Sequence, residues 1–350
     1  AALLAFAGRA CVVRDWRPLL SQPFHDILPG TSIPEGLAQA EPIWRRARRQ
    51  ARHQRDQGLR QLLGGDPGSG ASSTWLWMGW QPLARWSPLL KLPHGAWNAD
   101  AAALPQQPSV QGGTWVQLPE QRGICSVALS DGPVDSGEIA PRHPVSAVRV
   151  SPEIWRVSNG LVEFECSPVG LMQLRDAQGV DQLSAPLRPC RYRDRGEFWD
   201  AWDIAADYRR HPLELEPVGS VQLLESGPLV AQLVVTYRVG ASRMRLDLRL
   251  KADCPWLELI VSVDWCQRHE LLRLDIPLAS TAVRLAADTS GGVIERPAHP
   301  QTPREQERWE VPAISWLASQ AKAPGGGIAV LLDGPQGVDG ATDRLGVSLL

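Results

Sequence analysis

The clearest pattern in the chain is a strict alternation over residues 242–251, SRMRLDLRLK. Met244, Leu246, Leu248 and Leu250 take every second position, and Arg243, Arg245, Asp247, Arg249 and Lys251 fill the gaps. A period of two sorts the sets onto opposite faces of a strand, one buried and one wet. PLVAQLVVTYRV, PWLELIVSVDW and HELLRLDIPLA flank it, separated by turns such as Gly240-Ala241 and Cys254-Pro255, with no helical pattern between them. Strands so closely spaced predict antiparallel sheet, and their number predicts a large sandwich over 150–350.

The first part of the chain has a different period. Between Ile43 and Leu63 the apolar positions Ile43, Trp44, Ala47, Ala51, Leu59, Leu62 and Leu63 recur at helical spacing, with seven arginines filling the remainder. Thr31 or Ser32 is placed to cap a helix that starts near Pro34-Glu35, and Gly64-Gly65 supplies a stop. GGDPGSGASS at 64–73 has the composition of a linker. After it, TWLWMGWQPLARWSPLLKLP and GGTWVQLPEQRGICSVALS are apolar runs broken by Pro and Gly, which predicts a small β domain of short strands. The fold class is therefore α+β in three parts: a short helical-bundle portion over 1–66, a small β domain over 67–149, and a large antiparallel β-sandwich over 150–350.

Composition adds exclusions. The chain has 350 residues, 43% hydrophobic and 21% charged, with net charge −2. That suits ordinary globular cores, and it provides no global field for nucleic acid or an anionic membrane. No run approaches the 18 apolar residues needed to span a bilayer, so neither nucleic acid nor membrane is an expected partner. The six cysteines are scattered without a C-x-x-C pair, which fits a reducing, cytoplasmic setting. The sequence opens on AALLAFAGRA without an initiator Met and stops on the alternating GVDGATDRLGVSLL, so it reads as cut at both ends, with part of its function expected to lie outside it.

Candidate chemistry is sparse. No G-x-G-x-x-G follows a strand, and G-x-x-x-x-G-K-[ST], G-x-S-x-G and H-E-x-x-H are absent. The arginine-rich helix lacks aromatic interleaving and reads more simply as a solvated face than as a nucleic-acid site. Fifteen tryptophans are many, but those in strand-like runs (Trp75, Trp77, Trp256, Trp265) read as core. EFWDAWDIAADY at 197–208 clusters Asp200, Asp203 and Asp207 with Trp199, Trp202 and Tyr208. Glycosidic cleavage uses paired carboxylates in an aromatic-walled cleft. Turn-capping or pairing with Arg193, Arg195 or Arg209 is the plainer use of these aspartates. Taken by itself, His25 in SQPFHDILPGTSI reads as a hydrogen-bonded core histidine, since His53, His94, His143, His211, His269 and His299 stand at no ligand spacing from it.

LLSQPFHDILPGTSI nevertheless resembles the Q-F-H-D-x-x-P-G-[ST]-x-I signature in the middle helical domain of glycoside hydrolase family 38, the zinc-dependent α-mannosidases. EFWDAWDI, ESGPLVAQLVVTYRVGASRMRLDLRL, CPWLELIVSVDWCQRHELLRLDIPL and GGVIERPAHPQTPREQERWEVPAISWL are similar to successive segments of that family's C-terminal β region, a galactose-mutarotase-like supersandwich. The resemblance implies that His25 is a ligand of the active-site Zn2+ and that Asp26 contacts hydroxyls of the bound mannose, with Pro29-Gly30 fixing the turn that presents them. It implies retaining hydrolysis of α-mannosides, with the other zinc ligands, the nucleophile and the acid supplied by an N-terminal catalytic barrel that is not in this sequence. The chain alone is then expected to be inactive. One departure is Pro23, which stands where the signature has Gln and removes a side-chain donor and a backbone N–H. The alternative is a stand-alone, non-catalytic carbohydrate-binding β-sandwich protein.

Overall fold

The computed structural model describes residues 17–20, 24–27, 31–63, 74–132, 139–196, 203–322 and 326–350. The chain divides into two compact units, Ala1–Ser72 with Gly196–Ile204, and Ser73–Arg195 with Ala205–Leu350. Strand is the dominant secondary structure of the described residues, and helices are few.

In the first unit, α1 (Arg17–Leu20) precedes a turn at residues 24–27 and the 30-residue α2 (Pro34–Leu63). The expected start near Pro34 is found. The Thr31 hydroxyl, one of the two cap candidates, turns back to donate to the Asp26 carbonyl at 3.4 Å. The Ile33 carbonyl instead receives the first free amides, from Gly36 at 3.0 Å and Leu37 at 3.2 Å. Helical periodicity continues through Pro42, whose missing N–H costs one backbone bond without ending the element. The linker expected at 64–73 lies outside the described residues.

The second unit is built from six antiparallel sheets among the described residues. Two belong to the segment read as a small β domain. In the first, Thr74–Trp86 pairs with Gln121–Asp131, and Trp97–Ala99 and Ala102–Ala103 follow; the second has the order Leu89–Leu92, Thr114–Gln117, Gln106–Pro108. Their core is Trp97, Ala99, Leu104, Val116, Leu118, Val127 and Leu129. The expectation of short strands fails at Thr74–Trp86, which runs 13 residues through Gly79 and Pro82. It is an edge strand, where a residue without N–H leaves no ladder partner unpaired, and the register slips between Gln81 and Trp86.

The other four sheets share one core. Leu233, Val235, Tyr237, Met244, Leu246, Leu248 and Leu250 from the five-stranded sheet are joined by Leu272, Leu274, Ile276, Val338, Leu345 and Val347 from the six-stranded sheet. The alternation at 242–251 is realised as read on its apolar face. On the other face Asp247 is buried too, accepting from Gln232 Nε2 at 2.7 Å and from Arg245. Trp77 and Trp265 pack against the two cores. Trp75 and Trp256, expected as core, are half-exposed, one near the start of the edge strand and one in the turn after Cys254-Pro255.

Buried polar side chains fasten the smaller sheets to the larger ones. Gln107, 3% exposed, accepts from Leu229 N and Val230 N and donates to Val230 O. The Ser109 hydroxyl donates to the buried Glu225, and Gln117 donates to Asp253, which also accepts from His143 N. No helix among the described residues is long and apolar enough to cross a membrane.

Candidate functional site

His25 and Asp26 stand in the turn at residues 24–27, closed by a bond from Ile27 N to Phe24 O at 3.0 Å. The Phe24 ring lies 4.2 Å from the imidazole at 40°. His25 Nε2 is 3.5 Å from Asp26 Oδ2, and the two side chains are 73% and 31% exposed. The imidazole is thus open to an incoming group, with a carboxylate beside it and an aromatic ring behind it. Thr31, at the entry to α2, holds the Asp26 backbone. Gln22, Pro23, Pro29 and Gly30, which the sequence also brings into this motif, lie outside the described residues.

An exposed imidazole nitrogen suits a divalent ion such as zinc. It is one donor of a tetrahedral shell, and among the described residues no three His, Cys, Asp or Glu side chains gather to hold a metal. His25 therefore fits zinc as a single ligand whose companions would come from elsewhere, with the Asp26 carboxylate beside it.

The other candidates resolve differently. Asp200, Trp199 and Trp202 lie outside the described residues. Asp203 accepts from its own neighbour, Ile204 N, and Asp207 faces His211 Nε2 at 3.2 Å, so both serve locally. Arg209 pairs with neither of them. It reaches Asp275 at 2.7 Å and Asp339 at 3.0 Å, on two strands of the six-stranded sheet.

That sheet carries the largest charged cluster in the second unit. Arg273, wholly buried, donates to Glu310 and Ser348, both at 2.5 Å, and to Asp339. Arg344 also binds Asp339, at 2.7 Å, and Tyr192 donates to Asp275 at 3.0 Å. Burial by itself would raise the Asp275 carboxyl, but the Arg209 bond and the charges of Arg209, Arg273 and Arg344 hold it below its ordinary value. Burial pushes the Tyr208 hydroxyl up to about 12, so this ring is a neutral wall under Arg209 and Arg273, 5.0 and 5.4 Å from its centroid. Every charge here is matched, and the cluster braces the sheet. Sequence reading passed over it because Arg273 and Asp275 alternate with leucines and look like a wet face.

Residues 157–350, more than half of the chain, match the glycosyl hydrolases family 38 C-terminal domain. Among curated proteins, the chain is similar to alpha-mannosidase 2C1 of Homo sapiens, at 22% identity over 96% of this chain and 31% of that protein. It is also similar to the Mus musculus protein of the same name, at 22% over 86% and 28%, and to alpha-mannosidase G of Dictyostelium discoideum, at 28% over 44% and 14%. The chain thus spans about a third or less of the length of these relatives. Two crystal structures from Enterococcus faecalis, a protein in glycosyl hydrolase family 38 and an alpha-mannosidase, share the fold. Their TM-scores are 0.66 and 0.67 at 12% identity, covering 96% of this chain and 48% and 46% of those chains. The fold and the match over its β region place the chain in a family of glycoside hydrolases. The chain belongs to glycosyl hydrolase family 38, whose C-terminal domain it carries.

Proposed function

We propose that this chain is the middle and C-terminal part of a zinc-dependent, retaining α-mannosidase, and that it brings one metal ligand and one substrate contact to a catalytic barrel of the same polypeptide. In this reading the sandwich is of the galactose-mutarotase-like kind, the whole enzyme works in the cytoplasm, and the chain alone is inactive. The observation that carries the proposal is the exposed His25-Asp26 turn in a chain of this family.

His25 offers a ring nitrogen on a short, hydrogen-bonded turn, so little chain entropy is lost when that nitrogen is engaged. The metal, when bound, supplies a Lewis-acidic grip on adjacent sugar hydroxyls. Asp26, one residue on, accepts from a hydroxyl of the same ring, which fixes the sugar's rotation. In a retaining mechanism a nucleophilic carboxylate forms a glycosyl-enzyme while a second carboxyl protonates the leaving oxygen. Both belong to the barrel in this reading.

The test is an assay of the full-length protein on a synthetic α-mannoside. Hydrolysis with retention at the anomeric carbon, and a raised KM for Asp26→Asn, are the expected results. A full-length protein that binds mannosides without cleaving them would replace the proposal with a carbohydrate-binding role.

A further inference from the structure

We propose that the arginine face of α2 binds anionic groups on the substrate, so that the oligosaccharides taken by this enzyme carry phosphate or sulfate groups at a distance from the mannose that is cleaved. This rests on the hydrolase reading above and adds a substrate class to it.

Between positions 42 and 55 the helix has six arginines, Arg45, Arg46, Arg48, Arg49, Arg52 and Arg55, and no carboxylate. Acidic residues stand only at the borders, where Glu41 pairs with Arg45 at 2.5 Å and Asp56 with Arg55 at 2.8 Å. Arg46, Arg48, Arg49 and Arg52 are exposed and have no carboxylate partner among the described residues. At 3.6 residues per turn the six arginines occupy one half of the helix circumference, opposite Ala40, Ile43, Trp44 and Ala47. Arg45 with Arg49, and Arg48 with Arg52, are like charges four residues apart and repel each other. A multivalent anion relieves that repulsion.

A place for such a group is present. Beside Pro42, a surface depression of about 310 Å³ is lined by Glu41, Pro42, Arg45, Arg46 and Arg49. Guanidinium groups bind tetrahedral oxyanions through paired N–H donors. Arg46 and Arg49 line the depression with no carboxylate partner among the described residues, beside Arg45, which is paired with Glu41.

The occupant is a glycan more readily than a nucleic acid. This half of the helix has no Phe, Tyr or Trp side chain to stack on bases. The helix carries seven arginines against three carboxylates in a chain of net charge −2, so the remainder of the chain is acidic and repels a long polyanion. The depression also belongs to the same compact unit as the His25-Asp26 turn, and Thr31 ties that turn to the start of α2. At 1.5 Å per residue, Arg45 and Arg49 stand about 17 and 22 Å along the axis from Pro34, a span covered by an oligosaccharide and not by a single sugar.

The experiment uses the full-length protein and two labelled oligomannosides, one neutral and one bearing phosphate monoesters, with binding read by fluorescence anisotropy and turnover measured alongside. The expected result is binding about tenfold tighter for the phosphorylated probe at low salt, falling to parity at high salt. Arg46→Gln/Arg49→Gln/Arg52→Gln, which keeps helix propensity, should abolish the difference and leave turnover of the neutral probe unchanged. Equal binding of both probes by the wild type overturns the inference, as does equal affinity for a poly-glutamate peptide or duplex DNA of the same charge. Turnover of the neutral probe tests the hydrolase reading separately, so failure of one is distinguishable from failure of the other.

Discussion

Arg209 lies 2.7 Å from Asp275, 66 residues further along the chain, and the same guanidinium reaches Asp339 at 3.0 Å. One side chain from the short turn Tyr208–Arg210 thus ties together two strands of the six-stranded sheet. The guanidinium is 29% exposed and its partners 14% and 8%. Removing it leaves two shielded carboxylates short of a cation. Arg209→Ala should cost about 2 kcal/mol of stability, measured as a lower denaturant midpoint at an unchanged slope.

The same cluster sets an acid response. Asp275 is held below its ordinary value of 3.8 in the folded chain, so the folded state binds fewer protons than the unfolded one and stability rises with pH through that range. The contribution is fully present above the ordinary value and is lost as pH falls through the folded one. Asp275→Asn should therefore flatten the loss of stability as pH falls below the ordinary carboxylate value, relative to wild type, followed by denaturant titration at each pH.

Gly346 is the point where this cluster crosses the sheet. It pairs with Asp275 on one side and Asp339 on the other, and a methyl group at its Cα would fall on Asp339 Oδ1 and Arg273 Nη2. Arg273 is fully enclosed and cannot retreat. Gly346→Ala should destabilise by about 1–3 kcal/mol, visible as a lower Tm, whereas the same change at Gly179, exposed at a turn with φ of 77°, should cost about 1 kcal/mol through backbone strain alone.

Gln107 holds the three-stranded sheet to Leu229 and Val230 through three bonds, all shielded from water. Gln107→Leu keeps the bulk and leaves two backbone amides and a carbonyl without partners. The expected cost is about 2–3 kcal/mol, with faster amide exchange at Leu229 and Val230 before global unfolding.

Much of the architecture was legible in the sequence. The alternation at Met244–Leu250 and the helical spacing after Ile43 follow directly from burial of one face, which is a local rule. The length of Thr74–Trp86 was not legible, because Gly79 and Pro82 read as breaks unless the strand is known to lie at an edge, and that depends on tertiary neighbours. Arg209 illustrates the same limit. Acidic residues close in sequence looked like its partners, and the real ones, Asp275 and Asp339, are set by sheet register 66 and 130 residues away. The His25-Asp26 pair was visible as a motif only through family resemblance, since local chemistry left the histidine unassigned.

The most direct test of the account is zinc analysis of the full-length protein beside its His25→Ala variant, with circular dichroism to confirm an unchanged fold at this exposed position. The account predicts one zinc per wild-type chain, and joint loss of zinc and of α-mannoside hydrolysis in the variant. Wild-type zinc content in a folded His25→Ala protein would contradict it.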